Sequence, residues 1–312
     1  MAKDVVGFAG LGNMGTSMAT NLLQFLSQVS PEDPFEPRLH VYNRTQSKAD
    51  KLVSQGATQA PTISDLASRC TIVFSMLLND EAVASTVDAF LAAGPKPGTI
   101  YVDCSTVYPD LATEMSHKAA EKRVTYLTSP IFGRPDAVLA HKGLLVSAGD
   151  PASRARVKPL LEAIGQGILD CGDDPRAGNA MKLVGNFFIS SWMELVAEGM
   201  TLAEKNGIAR QSVVDFVTRL FPGHITTGYV NAQANDKFTP TPEDPGFALT
   251  GGMKDVSHMQ RLSRESAAPL PIVDIVLQHM QQVKDMGGGN LDWSSLALAV
   301  RKEAGLPLSH LQ

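Results

Sequence analysis

Short apolar, β-branched runs alternate with helical patterns through the first half of the chain. Val5–Ala9, Leu39–Tyr42, Thr71–Met76 and Thr99–Val102 each read as a short buried strand, since a brief uninterrupted apolar run suits a strand covered on both faces. Between them the apolar positions change period. Met14, Met18, Leu22 and Phe25 recur at helical spacing, and Leu66 to Cys70 does so more weakly. Strands alternating with helices predict a parallel sheet with helices on both faces, a doubly wound α/β domain of Rossmann type. Further runs at Thr125–Leu127, Leu144–Ala148 and Ile168–Cys171 extend that sheet to about residue 172. Ser30–Pro37, rich in proline and acidic residues, reads as an inserted surface loop.

After Asp174-Pro175 the pattern becomes helical throughout. Residues 176–206 contain no proline and keep helical apolar spacing, which predicts one long interdomain helix leading into an all-α C-terminal domain. Gln211–Phe221, Pro222–Asn235, Phe247–Ser266, Pro271–Met286 and Asp292–Ala304 follow as helices bounded by Pro, Gly or Asp. Lys237–Pro245, with three prolines, is a loop, and Gly287-Gly288-Gly289 is a helix stop. The expected domains are therefore residues 1–172 and 173–312.

Length and composition narrow the function. At 312 residues the chain has room for two domains, and 44% hydrophobic with 19% charged residues suits a folded globular protein. A net charge of −5 lacks the basic excess that nucleic-acid binding calls for. No run approaches the length of a membrane helix, and Lys3 and Asp4 before a glycine-interrupted run make a poor signal peptide. Cys70, Cys104 and Cys171 have no metal-ligand spacing and form no even set, so reduced thiols in a cytoplasmic setting are expected, with no cysteine metal site.

Gly10-Leu11-Gly12-Asn13-Met14-Gly15 lies between the first strand and the first helix, where a dinucleotide fingerprint belongs. Gly10 would permit the tight turn, Gly12 the approach of a pyrophosphate to backbone amides, and Gly15 close packing of helix on strand. At the end of the second strand an NAD site carries a carboxylate for the ribose 2′-hydroxyl. Here Asn43, Arg44 and Thr45 offer neutral donors and a guanidinium that suits a 2′-phosphate, so NADP(H) is the expected cofactor. An exposed arginine with no ligand is the alternative for Arg44.

Together the motifs resemble those of the β-hydroxyacid dehydrogenase family, relatives of 3-hydroxyisobutyrate dehydrogenase and of the NADP-binding part of 6-phosphogluconate dehydrogenase. The resemblance spans nearly the whole chain. It rests on the glycine fingerprint, on Asp103-Cys104-Ser105-Thr106, on Gly178-Asn179-Ala180-Met181-Lys182-Leu183-Val184-Gly185-Asn186, and on Phe247-Ala248-Leu249 with Lys254-Asp255. It implies that Lys182 is the general acid and base of hydride transfer between NADPH and a carbonyl, with Asn186 orienting the substrate oxygen. Four residues apart on a helix, the two share a face with about 6 Å of rise between them. A lysine on an apolar helical stretch is costly to bury charged, which draws its pKa toward the range where proton transfer works.

The resemblance also implies that Ser105 donates to a substrate carboxylate, that Thr106 lies by the nicotinamide ribose, and that Leu77 and Leu78 back the cofactor. Lys254 corresponds to a lysine that closes over cofactor and substrate, while Asp255 supports the local helix. Capping of the helix near Pro109 is the bland alternative for Ser105 and Thr106. One departure stands out. Pro130-Ile131-Phe132-Gly133-Arg134 replaces the family's Pro-Val-Ser-Gly-Gly, so Phe132 makes the substrate pocket more apolar and Arg134 either meets a carboxylate or faces solvent. The expected substrate is a small aldehyde, semialdehyde or keto compound, or the corresponding 3-hydroxy acid. An imine reductase and a non-catalytic NADP-binding module are the competing readings; relatives of both kinds usually lack the lysine. Apolar residues on more than one face of the long helix, among them Phe187, Phe188 and Trp192, point to a homodimer or tetramer.

Overall fold

The computed structural model describes residues 2–241 and 244–308. Two compact units divide the chain, one ending at Lys182 and the other beginning at Leu183. The division falls inside the long helix.

In the first unit β1 (Asp4–Ala9), α1 (Asn13–Leu26), β2 (Phe35–Tyr42), α2 (Asp50–Ser54), β3 (Thr58–Gln59), α3 (Ile63–Arg69), β4 (Ile72–Ser75), α4 (Asp80–Ala92), β5 (Ile100–Asp103), α5 (Pro109–Glu121) and β6 (Thr125–Thr128) come in chain order. They build a parallel six-stranded sheet in the order β3-β2-β1-β4-β5-β6. Alternate side chains go to opposite faces. Val6, Phe8, Ile72, Phe74, Ile100 and Val102 pack with Met18, Leu22 and Leu26 of α1, whereas Ala9, Val73 and Tyr101 pack with Phe90 and Met115 on the other face. Burial on both faces explains why these strands read as continuous apolar runs. The strand order reverses between β1 and β4, which puts the ligand crevice of such a sheet beyond the carboxyl ends of these strands.

The chain then turns at Ser129-Pro130 and leaves this sheet. β7 (Ile131–Phe132), α6 (Pro135–Leu139), β8 (Leu144–Ser147), α7 (Pro151–Ile164) and β9 (Gly167–Asp170) follow. Strands β7-β8-β9 form a separate three-stranded sheet, in which β7 runs antiparallel to β8. The expected extension of the main sheet through Leu144–Ala148 and Ile168–Cys171 is thus corrected, because β8 pairs with β7 and β9, and it is an isolated antiparallel bridge, Thr128↔Ala148, that links this segment to the end of β6. The expected loop Ser30–Pro37 is also shorter than predicted. β2 begins at Phe35, which is 3% exposed, and its register jumps from Asp4↔Phe35 to Val6↔Leu39. Pro37 has no N–H to give to a ladder, and it lies in the bulge this jump creates.

α8 (Pro175–Lys205) runs 31 residues across the division. In the second unit α9 (Arg210–Leu220), α10 (His224–Ala234), α11 (Leu249–Glu265), α12 (Pro271–Val283) and α13 (Ala297–Glu303) follow. Met193, Val256, Val276, Met280, Trp293 and Leu296 share one core, and Val214 and Val217 of α9 pack in a smaller cluster with Val196, Met200 and Val230. The predicted stop at the three glycines is a wider π-type turn, Lys284–Gly288, with Gly287 at φ +91°. The last predicted helix starts as a 3₁₀ turn, Trp293–Leu296, capped by Asp292. The described part of Lys237–Pro245 contains no helix or strand; Pro242 and Glu243 lie outside the described residues. Among the described residues no helix is long and apolar enough to cross a membrane, and no metal-binding cluster of His, Cys, Asp and Glu is found.

Candidate active site

The glycine loop follows β1 directly. Gly10 has φ +94°, and a Cβ there would lie 2.3 Å from the Met76 carbonyl oxygen, so both conformation and space require glycine. A Cβ on Gly15 would meet the Gly10 oxygen at 1.9 Å, which shows how closely α1 packs on the turn. Gly12 differs. Its φ of −73° is open to any residue, and nothing lies within 4 Å of an added Cβ. No protein contact demands glycine there, so the open space beside an exposed helix N-terminus fits a ligand's phosphates. Asn13 is exposed, Met14 is half-buried and Leu11 is buried.

The end of β2 holds this loop in place. Leu11 N–H donates to Asn43 Oδ1 at 2.8 Å, and the Asn43 amide donates to the Thr45 carbonyl at 2.9 Å. Asn43 therefore shapes the turn, while Arg44 and Thr45 are exposed beyond it. No carboxylate occupies Val41–Thr45.

The loops after β4 and β5 meet through one buried acid. Asp103 is fully buried, and its Oδ1 accepts from Ser105 Oγ at 2.6 Å, Ser105 N–H at 3.1 Å and Ser75 Oγ at 2.9 Å. Its Oδ2 accepts from Tyr126 O–H at 3.0 Å. Burial pushes this carboxyl above the usual range despite those bonds, and burial beside Asp103 also pushes Tyr126 upward. Ser105 Oγ in turn accepts from Leu77 N–H at 2.9 Å. The Ser105 proton expected to reach a substrate carboxylate is thus directed to Asp103, and the residue has no exposed surface. Helix capping does not account for it either, since the N-cap residue of α5 is Tyr108 and no side chain caps that helix. Thr106 is half-buried, Leu78 is 80% exposed, and Asn79 caps α4 by accepting from Ala82 N–H at 2.9 Å.

α8 brings its lysine to β7. Gly178 allows the close approach, since a Cβ would meet Thr128 Oγ1 at 2.2 Å. Asn179, fully buried, accepts from Val107 N–H at 3.3 Å and so ties the β5 loop to the helix. Lys182 is 8% exposed. Its Nζ donates to the Ile131 carbonyl at 2.9 Å and stands 4.2 Å from the centre of the Phe132 ring, a cation–π distance. Phe132 is buried, Gly133 is exposed at φ +139°, and Arg134 is half-buried at the start of α6.

The second unit has its own polar group. Asn186, one turn beyond Lys182 on α8, donates to Asp255 Oδ2 at 2.8 Å, and Lys254 Nζ lies 3.0 Å from Asp255 Oδ1. Asp255 is 2% exposed. It therefore does more than support its own helix, as the sequence reading has it. Asp103, Asn179 and Asp255 are the polar residues that sequence reasoning missed as partners. For Asp103 the available signal was a carboxylate ending an otherwise apolar strand.

A parallel doubly wound sheet with a glycine turn open at the N-terminus of α1 is the architecture of a dinucleotide-binding domain. Residues 5–172 match the family model for the NAD binding domain of 6-phosphogluconate dehydrogenase. Residues 177–300 match the model for the NAD-binding domain of NADP-dependent 3-hydroxyisobutyrate dehydrogenase. The chain therefore belongs to the β-hydroxyacid dehydrogenase family, whose members are NAD(P)-dependent and act on CH–OH groups. It is 29% identical to the mitochondrial 3-hydroxyisobutyrate dehydrogenase of Drosophila melanogaster, over 96% of this chain and 90% of that one. Among solved structures, Mycobacterium tuberculosis 3-hydroxyisobutyrate dehydrogenase with L-serine shares the fold at a TM-score of 0.80 and 24% identity, covering 96% of this chain and 99% of that one. A Streptomyces aurantiacus imine reductase does so at 0.62 and 22%, covering 94% and 98%.

Proposed function

We propose that the protein is an NADPH-dependent carbonyl reductase, interconverting a small aldehyde, semialdehyde or keto compound and its alcohol or 3-hydroxy acid. The observation that carries this reading is the Lys182 amine, 8% exposed and held between the Ile131 carbonyl and the Phe132 ring. An ammonium so placed is oriented before any substrate arrives, which is what general acid catalysis needs. Lys182 gives a proton from Nζ to the carbonyl oxygen in reduction and takes it back in oxidation. Asn186 orients that oxygen through its amide, which Asp255 fixes.

The cofactor, when bound, supplies the hydride. Gly10, Leu11, Gly12, Asn13, Met14 and Gly15 would hold its pyrophosphate, and Arg44 with Thr45 its 2′-phosphate. Leu77, Leu78, Thr106 and Lys254 would hold the nicotinamide end. Phe132, Gly133 and Arg134 would face the substrate. The apolar ring beside the amine favours a second class, cyclic imines, which the shared fold of an imine reductase also accommodates.

A panel of aldehydes, ketones, semialdehydes and cyclic imines, followed by NADPH oxidation with NADH run beside it, tests this reading. We expect carbonyl turnover with NADPH at least tenfold better than with NADH, a ratio within the about 1.5–3 kcal/mol of a charge-assisted contact. Turnover confined to imines would select the second class, and a strong NADH preference would overturn the role given to Arg44. For assembly, Val184, Phe188, Leu195 and Leu202 form an apolar stripe on α8, 45%, 67%, 61% and 67% exposed. We assign it to self-association; a light-scattering mass of 33.3 kDa at micromolar protein would refute that assignment.

A further inference from the structure

The Asp103 network begins where the sheet's own hydrogen bonding ends. β4 and β5 are in register through the pair Ser75↔Asp103, and Cys104 N–H donates to the Ser75 carbonyl at 2.8 Å. Beyond that point nothing in a parallel ladder fixes one loop against the other. The side chains supply the link. Leu77 N–H donates to Ser105 Oγ, Ser105 Oγ donates to Asp103, and Asp103 is held from the other side by Ser75 and Tyr126. Asp103, Ser75 and Ser105 are fully buried and Tyr126 is 2% exposed. The bonded partners of the carboxylate are hydroxyls and an amide, with no cation among them. Such an acid is expensive to bury, and a plain apolar strand end would serve the sheet at lower cost.

We propose that Asp103 is a positioning residue which, through Ser105, locks the Leu77-Leu78 loop to the Ser105-Thr106 loop and so presets both for the dinucleotide. Ser105 acts here as a relay between two loops rather than as a substrate ligand. The consequence for binding rests on the functional reading above, whereas the coupling between the loops does not. It assigns three roles: Asp103 accepts, Ser105 relays, and the Leu77 amide is fixed.

The test compares the full-length wild type with Ser105→Ala, Asp103→Asn and Asp103→Ala. Amide exchange at Leu77 without cofactor reads the coupling, and NADPH titration reads its consequence. Ser105→Ala should speed Leu77 exchange and weaken NADPH binding, each by about tenfold, the scale of one buried hydrogen bond. Its loss of turnover should be the same for substrates with and without a carboxylate. Asn at 103 keeps a carbonyl for Ser105 and turns its NH₂ to the Tyr126 oxygen, so Asp103→Asn should retain most of the wild-type affinity where Asp103→Ala does not. Unchanged Leu77 exchange in Ser105→Ala overturns the coupling. Wild-type NADPH affinity in Ser105→Ala, with a loss limited to carboxylate-bearing substrates, overturns the positioning role and returns Ser105 to the substrate. Equal losses in Asp103→Asn and Asp103→Ala would count against the hydrogen-bond relay. If Ser105→Ala speeds Leu77 exchange while wild-type protein binds no NADPH, the coupling stands and the functional reading fails. Should Asp103→Ala fail to fold, Ser105→Ala alone still decides.

Discussion

Two glycines of one fingerprint should respond to alanine in opposite ways. At Gly15 an added methyl meets the Gly10 carbonyl oxygen at 1.9 Å, more than 1 Å inside a close carbon–oxygen contact of about 3.3 Å. Relief requires α1 to lift from β1 or the Gly10 turn to open, and Gly10 is itself confined by the Met76 oxygen. Overpacking of this kind costs about 1–3 kcal/mol. At about 2–4 °C per kcal/mol for a unit of this size, Tm should fall by roughly 2–12 °C. At Gly12 the methyl meets nothing within 4 Å, and φ −73° suits alanine. The reduced freedom of the unfolded chain adds about 0.4–1 kcal/mol, which a weaker helix N-cap offsets by a similar amount. Stability should therefore stay within about 1 kcal/mol, while the methyl takes the space through which a pyrophosphate reaches the first turn of α1. Thermal unfolding with NADPH titration on both variants checks this. Gly12→Ala should melt near the wild type and bind NADPH at least tenfold more weakly, and Gly15→Ala should melt low. A Gly12→Ala protein that binds NADPH normally, or melts as low as Gly15→Ala, would refute the reasoning.

Arg44→Ala should raise the KM for NADPH by about 10–100-fold, the scale of charge-assisted contacts, and leave that for NADH unchanged; equal effects on both would remove the guanidinium from 2′-phosphate recognition. In the second unit, His279 Nδ1 lies 2.7 Å from the buried Glu194 Oε1 and Nε2 lies 3.6 Å from Glu303, and the bond to Glu194 holds the imidazole above its ordinary 6.5. A raised folded-state value means stability that is fully present below pH 6.5 and lost as pH rises through the folded value. Wild-type Tm should accordingly decline more steeply than that of His279→Gln as pH rises above 6.5; parallel curves would show that the pair does not contribute in this way.

β1, β4 and β5 were legible because each is a short, largely apolar run buried on both faces. β3 and β7 were not, since two residues show no period. Which sheet Leu144–Ser147 joins depends on pairing with Ile131–Phe132 after a turn, and no local signal carries that. Pro37 argued for a loop and instead lies in a bulge within β2. In the glycine fingerprint, sequence reasoning assigned Gly10 the tight turn and Gly15 the close packing, and a Cβ would collide at both but not at Gly12. Partners far apart in sequence were not legible: Asn186 and Asp255 are 69 residues apart, and Leu77 and Ser105 are 28 apart. Direction was also hidden. A serine past a strand end can face a ligand or turn inward, and only the buried Asp103 decides which.

The central claim is that the amine on α8 moves the proton. Lys182→Met keeps the length and the apolar packing on Phe132 but removes the N–H groups. Measured with the best carbonyl substrate from the panel, kcat/KM should fall about a hundredfold or more, the usual scale for loss of a general acid, while the Kd for NADPH stays within about threefold because no uniform binding contact is removed. Undiminished carbonyl reduction by Lys182→Met would contradict the account.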